Sequence, residues 1–369
     1  MLAFSYFDHN RIMIRRGEVL MYKDVSIDEL LMADHGDFVF VDVRSPSEYN
    51  EMTIPGSYNI PVFDDEERAE VGTLYKQVSK EVATDRGLEL FSAKLPRFVK
   101  QFRELDGKPV VFCWRGGMRS KAAATFLDLM GISTIRIKGG VRAYRKWVMS
   151  QIETLEMKPK AFVLNGGTGT GKTAILHELK KQGFPVLDIE GMANHRGSVF
   201  GAIGQHPINQ KTFDSLLVNE VNQLNSSPYV LFEAESKRIG KVLLPSFLMN
   251  KKEQAIHIFI ELPIAERVSH IMEEYRLHEH HEEFVEGFRQ IKRRIHSPIA
   301  NKIEEELKVK NYHMVLEYLL QYYYDPRYIH TAEKYGEDQK IILKANTIEE
   351  AAKAVRNFMT SQQTQVGNS

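Results

Sequence analysis

The chain has one cysteine among 369 residues, Cys113. A single thiol excludes an internal disulfide and any redox cycle that needs two cysteines on one chain. Neither sign of charge is in excess, with Lys plus Arg and Asp plus Glu at 49 each, so no global field draws the chain to nucleic acid or to an anionic membrane. Any contact with RNA must use local patches. No apolar run approaches the ~18 residues of a membrane span, and the start, MLAFSYFDHNRIMIRRGEVL, lacks the basic, apolar and small-residue regions of a signal peptide in that order. These features predict a cytoplasmic protein with no membrane partner.

The length exceeds the roughly 100–200 residues of a usual domain, which predicts two domains. Composition is that of a soluble globular protein, 43% hydrophobic and 27% charged. The first half alternates short apolar runs with helical patterns: strands over Phe38 to Val43, Val110 to Phe112 and Thr134 to Ile137, and a helix over Ser120 to Met130. Charge and turn residues gather in ETLEMKPK, so a linker is expected at 153–160 between an α/β domain over 1–152 and a second over 161–360. The second domain opens with strand Ala161 to Leu164, a glycine loop, helix Thr173 to Gln182, and strands Val186 to Ile189 and Tyr229 to Phe232. This order predicts a second parallel sheet. A mostly helical extension follows from Pro263 to Tyr328, and the polar end, 361–369, is expected to be a disordered tail.

Cys113 follows the apolar run PVVF and precedes Trp114, Arg115, Gly116, Gly117, Met118, Arg119 and Ser120, after which AAATFLDLM reads as a helix. The cysteine therefore stands where a strand turns into a helix. There the glycines let backbone N–H groups point inward and the helix N-terminus adds partial positive charge, a cradle for an anion. Arg115 and Arg119 add two full charges, and the same surroundings make the sulfur a nucleophile. Upstream, DVRSPSEY from Asp42 and IPGSYNIP from Ile54 resemble the paired signatures of the rhodanese fold over roughly residues 20–150. That resemblance implies a cysteine that carries sulfur or selenium. Asp42 and Arg44 read first as a fold-stabilising pair. The spacing C-x5-R-S is also that of cysteine-dependent phosphatases. It suits a phosphate-like group, and equally a selenophosphate whose phosphoryl end fills the cradle.

Gly166, Gly167, Thr168, Gly169, Thr170, Gly171, Lys172 and Thr173 fit G-x-x-x-x-G-K-[ST] between an apolar strand and a helix, the context of a P-loop. The loop's N–H groups and Lys172 would hold two adjacent phosphates, and the Thr173 hydroxyl could sit on Mg²⁺. Such a loop recognises a diphosphate and does not by itself require a nucleotide. Glu233 and Glu235, after the strand from Tyr229, could hold a metal, cap a helix or pair with Lys237 or Arg238. A further patch after the second strand contains Glu190, His195, Arg196 and Ser198 and is a candidate ligand site. His278, His280 and His281 have no partners at the spacing of a zinc site, so no metal centre is predicted there.

CWRGGMRS, GGTGTGKT, DIEGMANHRGSVFG and FEAESKRIG, in this order, resemble the tRNA 2-selenouridine synthases across nearly the whole chain. The resemblance implies a transferase. It would replace sulfur by selenium at carbon 2 of a wobble 2-thiouridine in tRNA, with selenophosphate as donor, through an S-geranylated intermediate made from geranyl diphosphate. It also implies no tightly bound cofactor, a diphosphate on Gly166 to Thr173, and selenium delivery at Cys113. For tRNA the candidates are Lys292, Arg293 and Arg294, the run Tyr322, Tyr323 and Tyr324 with Arg327 and Tyr328, and Arg142, Arg145 and Lys146, cations for phosphates and aromatics for stacking. The competing function is a phosphatase-like or sulfurtransferase cysteine domain fused to a small-molecule kinase, with Lys172 and Thr173 serving ATP and magnesium.

Overall fold

The computed structural model describes residues 22–32, 38–332 and 334–366. It divides into two compact units, 1–147 and 148–369. In the first, the elements run β1 (Lys23–Val25), α1 (Ile27–Met32), β2 (Phe38–Asp42), α2 (Pro46–Glu51), β3 (Tyr58–Asn59), α3 (Asp65–Gln77), α4 (Lys80–Arg103), β4 (Lys108–Phe112), α5 (Met118–Leu129) and β5 (Ile135–Ile137), with α6 (Gly140–Thr154) crossing the division. The five strands are parallel in the order β1-β5-β4-β2-β3. Central strands of a parallel sheet are covered on both faces, which is why KPVVF and FVFVD carry near-continuous apolar runs. Val41, Val111, Phe91, Phe98 and Leu127 build the core, and Cys113 belongs to it.

The second unit continues with β6 (Lys160–Gly166), α7 (Lys172–Lys181), α8 (Ile189–Ala193), α9 (Gln210–Leu224), β7 (Tyr229–Glu233), β8 (Arg238–Ile239), β9 (Val242–Leu243), α10 (Ser246–Glu253) and β10 (Ile256–Glu261). A helical run follows: α11 (Ile264–Tyr275), α12 (His281–Ile291), α13 (Ser297–Lys308), α14 (Tyr312–Leu319), a π-helical turn (Leu320–Tyr324) and α15 (Asp325–Ala332). The chain then returns as β11 (Lys340–Lys344) and α16 (Ile348–Val366). The sheet is parallel, in the order β11-β10-β6-β7. Alternation along β6 sends Ala161 and Val163 into one core and Phe162 and Leu164 into another, while the helical run packs a third around Phe284, Phe288 and Leu319.

Three expectations are corrected here. Val186 to Ile189 is not a strand: Val186 makes one bridge to Leu231, and Asp188 caps α8 by accepting from Gly191 N at 2.8 Å, which turns the run into a helix. The segment 153–160 is only in part a linker, because α6 runs to Thr154 and β6 starts at Lys160. The polar end is helical as far as Val366 in α16, whose Ala351, Val355 and Met359 are buried. Gly367 to Ser369 lie outside the described residues.

Candidate functional site

Each unit carries one phosphate-type loop. In the first, β4 delivers Cys113 to the floor of the loop, 3% exposed, and α5 starts at Met118 with Gly117 as its N-cap residue. The loop is tied down by its backbone. Val141 N donates to Cys113 O at 2.9 Å, Arg142 N to Trp114 O at 3.0 Å and Arg136 Nη1 to Gly116 O at 2.6 Å. Gly140, at φ +58°, permits this approach, because a Cβ there would stand 2.0 Å from Cys113 O. Cys113 Sγ lies 3.2 Å from Ser120 Oγ. At the rim Trp114, Arg115 and Met118 are exposed.

Arg119 is held differently from Arg115. Its guanidinium makes two bonds to the Glu48 carboxylate, one of them Nη2 to Oε1 at 3.1 Å. Burial pushes the Glu48 carboxyl up, but the bonds and charge of Arg119, with the charge of Arg68, outweigh it and hold the group below its ordinary value. Beneath the loop, buried Arg44 donates to Asp42 through Nε at 3.0 Å and Nη2 at 2.6 Å, and Thr53 Oγ1 adds a bond to Asp42 at 2.9 Å. The pair is scaffold, as its position at the end of β2 implies.

In the second unit the loop from Gly166 to Thr173 joins β6 to α7. Gly171 has φ +68°, and a Cβ there would stand 2.7 Å from Ile348 of α16. Lys172 Nζ donates to Gly166 O at 3.2 Å, inside the curve of the loop. Thr173 Oγ1 donates to Glu190 Oε2 at 2.7 Å. A cleft of about 220 Å³ opens over the loop, walled by Glu190, Arg196, Ser198, Glu235, Glu274 and Tyr275.

Glu190 and Glu235 face this cleft, and a third carboxylate, Glu233, contacts Glu190. Glu233 is fully buried; its Oε1 accepts from Glu190 N at 2.8 Å, and its Oε2 has no partner among the described residues. Glu190 and Glu235 both reach within 2.9 Å of where a Cβ on Gly197 would stand. Burial raises all three, and the charge of Glu190 adds to the rise at the other two, so that Glu235 is pushed up to about 8. Through its bond to Glu190 N, Glu233 satisfies a first-turn N–H of α8, and Lys237 and Arg238 are exposed. Among the described residues no set of three His, Cys, Asp or Glu side chains is arranged to hold a metal ion.

The candidate patch is thus brought to the P-loop. Arg196 stacks on Tyr275 at 4.7 Å, pairs with Glu274 at 3.1 Å and donates to Ile203 O at 2.9 Å. His195 is half-buried beside it, its Nδ1 without a partner among the described residues, and burial then the charge of Arg196 lower its basicity. α11 falls within the expected helical extension, but sequence reasoning did not bring it to the cleft; it supplies Tyr275 and Glu274 there, and its Arg267 donates to Thr168 O at 2.8 Å and pairs with Asp325 at 2.6 Å.

The RNA candidates separate. Arg293, Arg294, Arg142 and Lys146 are exposed, whereas Lys292 pairs with Glu304 at 2.6 Å and Arg145 is half-buried. Tyr323 and Tyr324 are core residues, so only Tyr322 and Tyr328 of the expected stacking run are exposed. The π-helical turn explains the difference, since its wider spacing turns two consecutive tyrosines inward. Arg327 lies over the Tyr323 ring at 3.6 Å. Two of the three histidines meet at Tyr312, His281 bonding its Oη at 2.9 Å and His278 meeting its ring edge-on, while His280 pairs with Glu283 at 2.8 Å.

Residues 159–365 match the tRNA 2-selenouridine synthase AAA domain and residues 27–147 the rhodanese-like domain. The chain is similar to the tRNA 2-selenouridine synthase of Nitrosomonas europaea, at 36% identity over 69% of this chain and 68% of the relative. Proteins of that description from Bdellovibrio bacteriovorus and Sulfurovum sp. are each 30% identical, over 85% of this chain and 93% of the relative in the first case and 84% and 92% in the second. No helix among the described residues is long and apolar enough to cross a membrane.

Proposed function

The chain belongs to the tRNA 2-selenouridine synthase family, and from that premise we propose that it modifies the wobble 2-thiouridine of tRNA in two steps, one at each loop. In the first step the 2-thio sulfur attacks C1 of geranyl diphosphate. The C–O bond breaks, diphosphate departs on the P-loop, and the base gives up its N3 proton as the thioether forms. In the second, selenium of selenophosphate adds to carbon 2, the C–S bond breaks and geranylthiol leaves with a proton. Water then takes the phosphoryl group from selenium and releases phosphate. Alkylation is what makes the second step feasible, because a thiocarbonyl sulfur is a poor leaving group and a thioether sulfur is a good one.

The observation that carries this reading is that one chain holds two anion cradles at helix N-termini, one with a thiol at its floor and one with a lysine inside it. Lys172 and the loop N–H groups would neutralise the departing diphosphate. Arg115, with Arg119 released from Glu48, would hold the selenophosphate oxyanion above Cys113. Hard oxygen donors at Thr173 and Glu190 fit Mg²⁺, which would add positive charge beside the diphosphate. Arg293, Arg294, Arg142, Lys146, Tyr322, Arg327 and Tyr328 remain as the exposed groups for tRNA.

The test is Lys172→Ala on two substrates in parallel, with products read by nucleoside mass spectrometry and tRNA affinity measured separately. Geranylation of thio-tRNA is expected to fall by at least tenfold, and selenation with it, while tRNA supplied already geranylated is selenated at the parent rate. Normal geranylation by the variant, or an absolute need for ATP in geranylation, would overturn the assignment and favour the kinase reading.

A further inference from the structure

Beside the cleft the second unit contains a smaller chamber of about 20 Å³. It shares Thr168, Ser198, Ile271 and Tyr275 with the cleft, so the two spaces adjoin at the P-loop. Its far wall is made by Phe200, Phe284, Leu316, Leu320 and Tyr324, and almost no polar surface faces into it. Leu320 and Tyr324 are the two ends of the π-helical turn, and its i to i+5 bonding brings both side chains to this wall.

The two spaces together suit one kind of ligand. A nucleotide held on the P-loop would bring ring nitrogens and hydroxyls into a chamber where they lose their bonds to water and find little in return. A hydrocarbon has no hydrogen bonds to lose there. The chamber is nevertheless small, since an apolar cavity that binds benzene measures about 150 Å³. A ten-carbon chain can enter only by displacing side chains at the far wall, which makes those side chains the gauge of chain length.

Building on the reading of the P-loop as a prenyl diphosphate site, we infer that this chamber receives the hydrocarbon of the allylic diphosphate and that Phe284 and Leu320 set the chain length accepted. The test is competition among dimethylallyl, geranyl and farnesyl diphosphates on thio-tRNA, with the thioether nucleosides identified by mass. Phe284→Leu and Leu320→Ala are expected to raise the ratio of farnesyl to geranyl product about tenfold, and Leu320→Phe to raise that of dimethylallyl to geranyl by a similar factor, in line with the discrimination one or two methylenes allow. Folded, active variants with the parent's product ratios would overturn the proposal and leave the diphosphate site standing. A measurement on the unaltered protein covers the case in which no variant folds: geranyl diphosphate should bind at least tenfold more tightly than methyl diphosphate, which has the same charged head. Equal binding of the two overturns the chamber assignment, whereas binding of neither overturns the diphosphate reading itself.

Discussion

Replacing Glu235 by Gln should stabilise the protein in alkali and leave it unchanged in acid. The folded protein holds the Glu235 proton more tightly than the unfolded chain, with burial and the neighbouring charge of Glu190 raising the group from 4.5 to about 8. Its contribution to stability is therefore complete below about pH 4.5 and is lost as the pH rises toward 8. At about 1.4 kcal/mol for each pH unit, the whole loss amounts to about 5 kcal/mol. One substitution recovers only part, on the order of half, because Glu190 and Glu233 remain beside it. For a unit of this size 2 kcal/mol corresponds to roughly 4–8 °C in melting temperature. The assay is thermal unfolding of the full chain, parent against Glu235→Gln, from pH 5 to pH 9 in a chelator without diphosphate. The curves should meet at pH 5 and separate by that amount at pH 9. Parallel curves would refute the argument, because they would mean that Glu235 releases no proton in the window where the crowding of the three carboxylates demands it.

Cys113→Ala should abolish selenium incorporation and leave geranylation of thio-tRNA within about twofold of the parent, as read by nucleoside analysis; loss of both activities in a folded variant would refute the division of labour. Gly140→Ala places a methyl 2.0 Å from Cys113 O, at a φ of +58° that costs a side chain roughly 1–2 kcal/mol, so selenation should fall at least tenfold while geranylation persists. Arg44→Met leaves the Asp42 carboxylate buried without its partner and should lower stability in urea unfolding by about 3–5 kcal/mol, with no such loss on replacing exposed Arg115.

Both loops were legible in the sequence because each is a run of consecutive residues whose neighbours declare the context, an apolar strand before and a helix after. Asp42 and Arg44 were legible as scaffold for a similar reason, two residues apart at a strand end. What walls the P-loop cleft was not. Glu274 and Tyr275 lie at the end of α11, and their pattern is that of any amphipathic helix, so the face turned to the cleft reads like a face turned to water. The tyrosine run misled because an ordinary helical spacing would expose part of it, and the π-helical turn that buries Tyr323 and Tyr324 has no mark in composition. The carboxylates were legible as residues but not as a cluster, since Glu190 and Glu233 meet only after the segment before α8 bridges to β7, Val186 against Leu231.

Ile348, lying against Gly171, gives the molecule a timetable. The phosphate loop is complete in the chain by residue 173, but the side chain that backs it belongs to the last helix, and the strand preceding that helix must first pair with β10, His257 against Lys340. During synthesis the loop therefore emerges long before this backing, which forms only after the segment from Lys340 through Ile348 has left the ribosome. Completion of the packing around the loop thus becomes a late event in the life of the nascent chain.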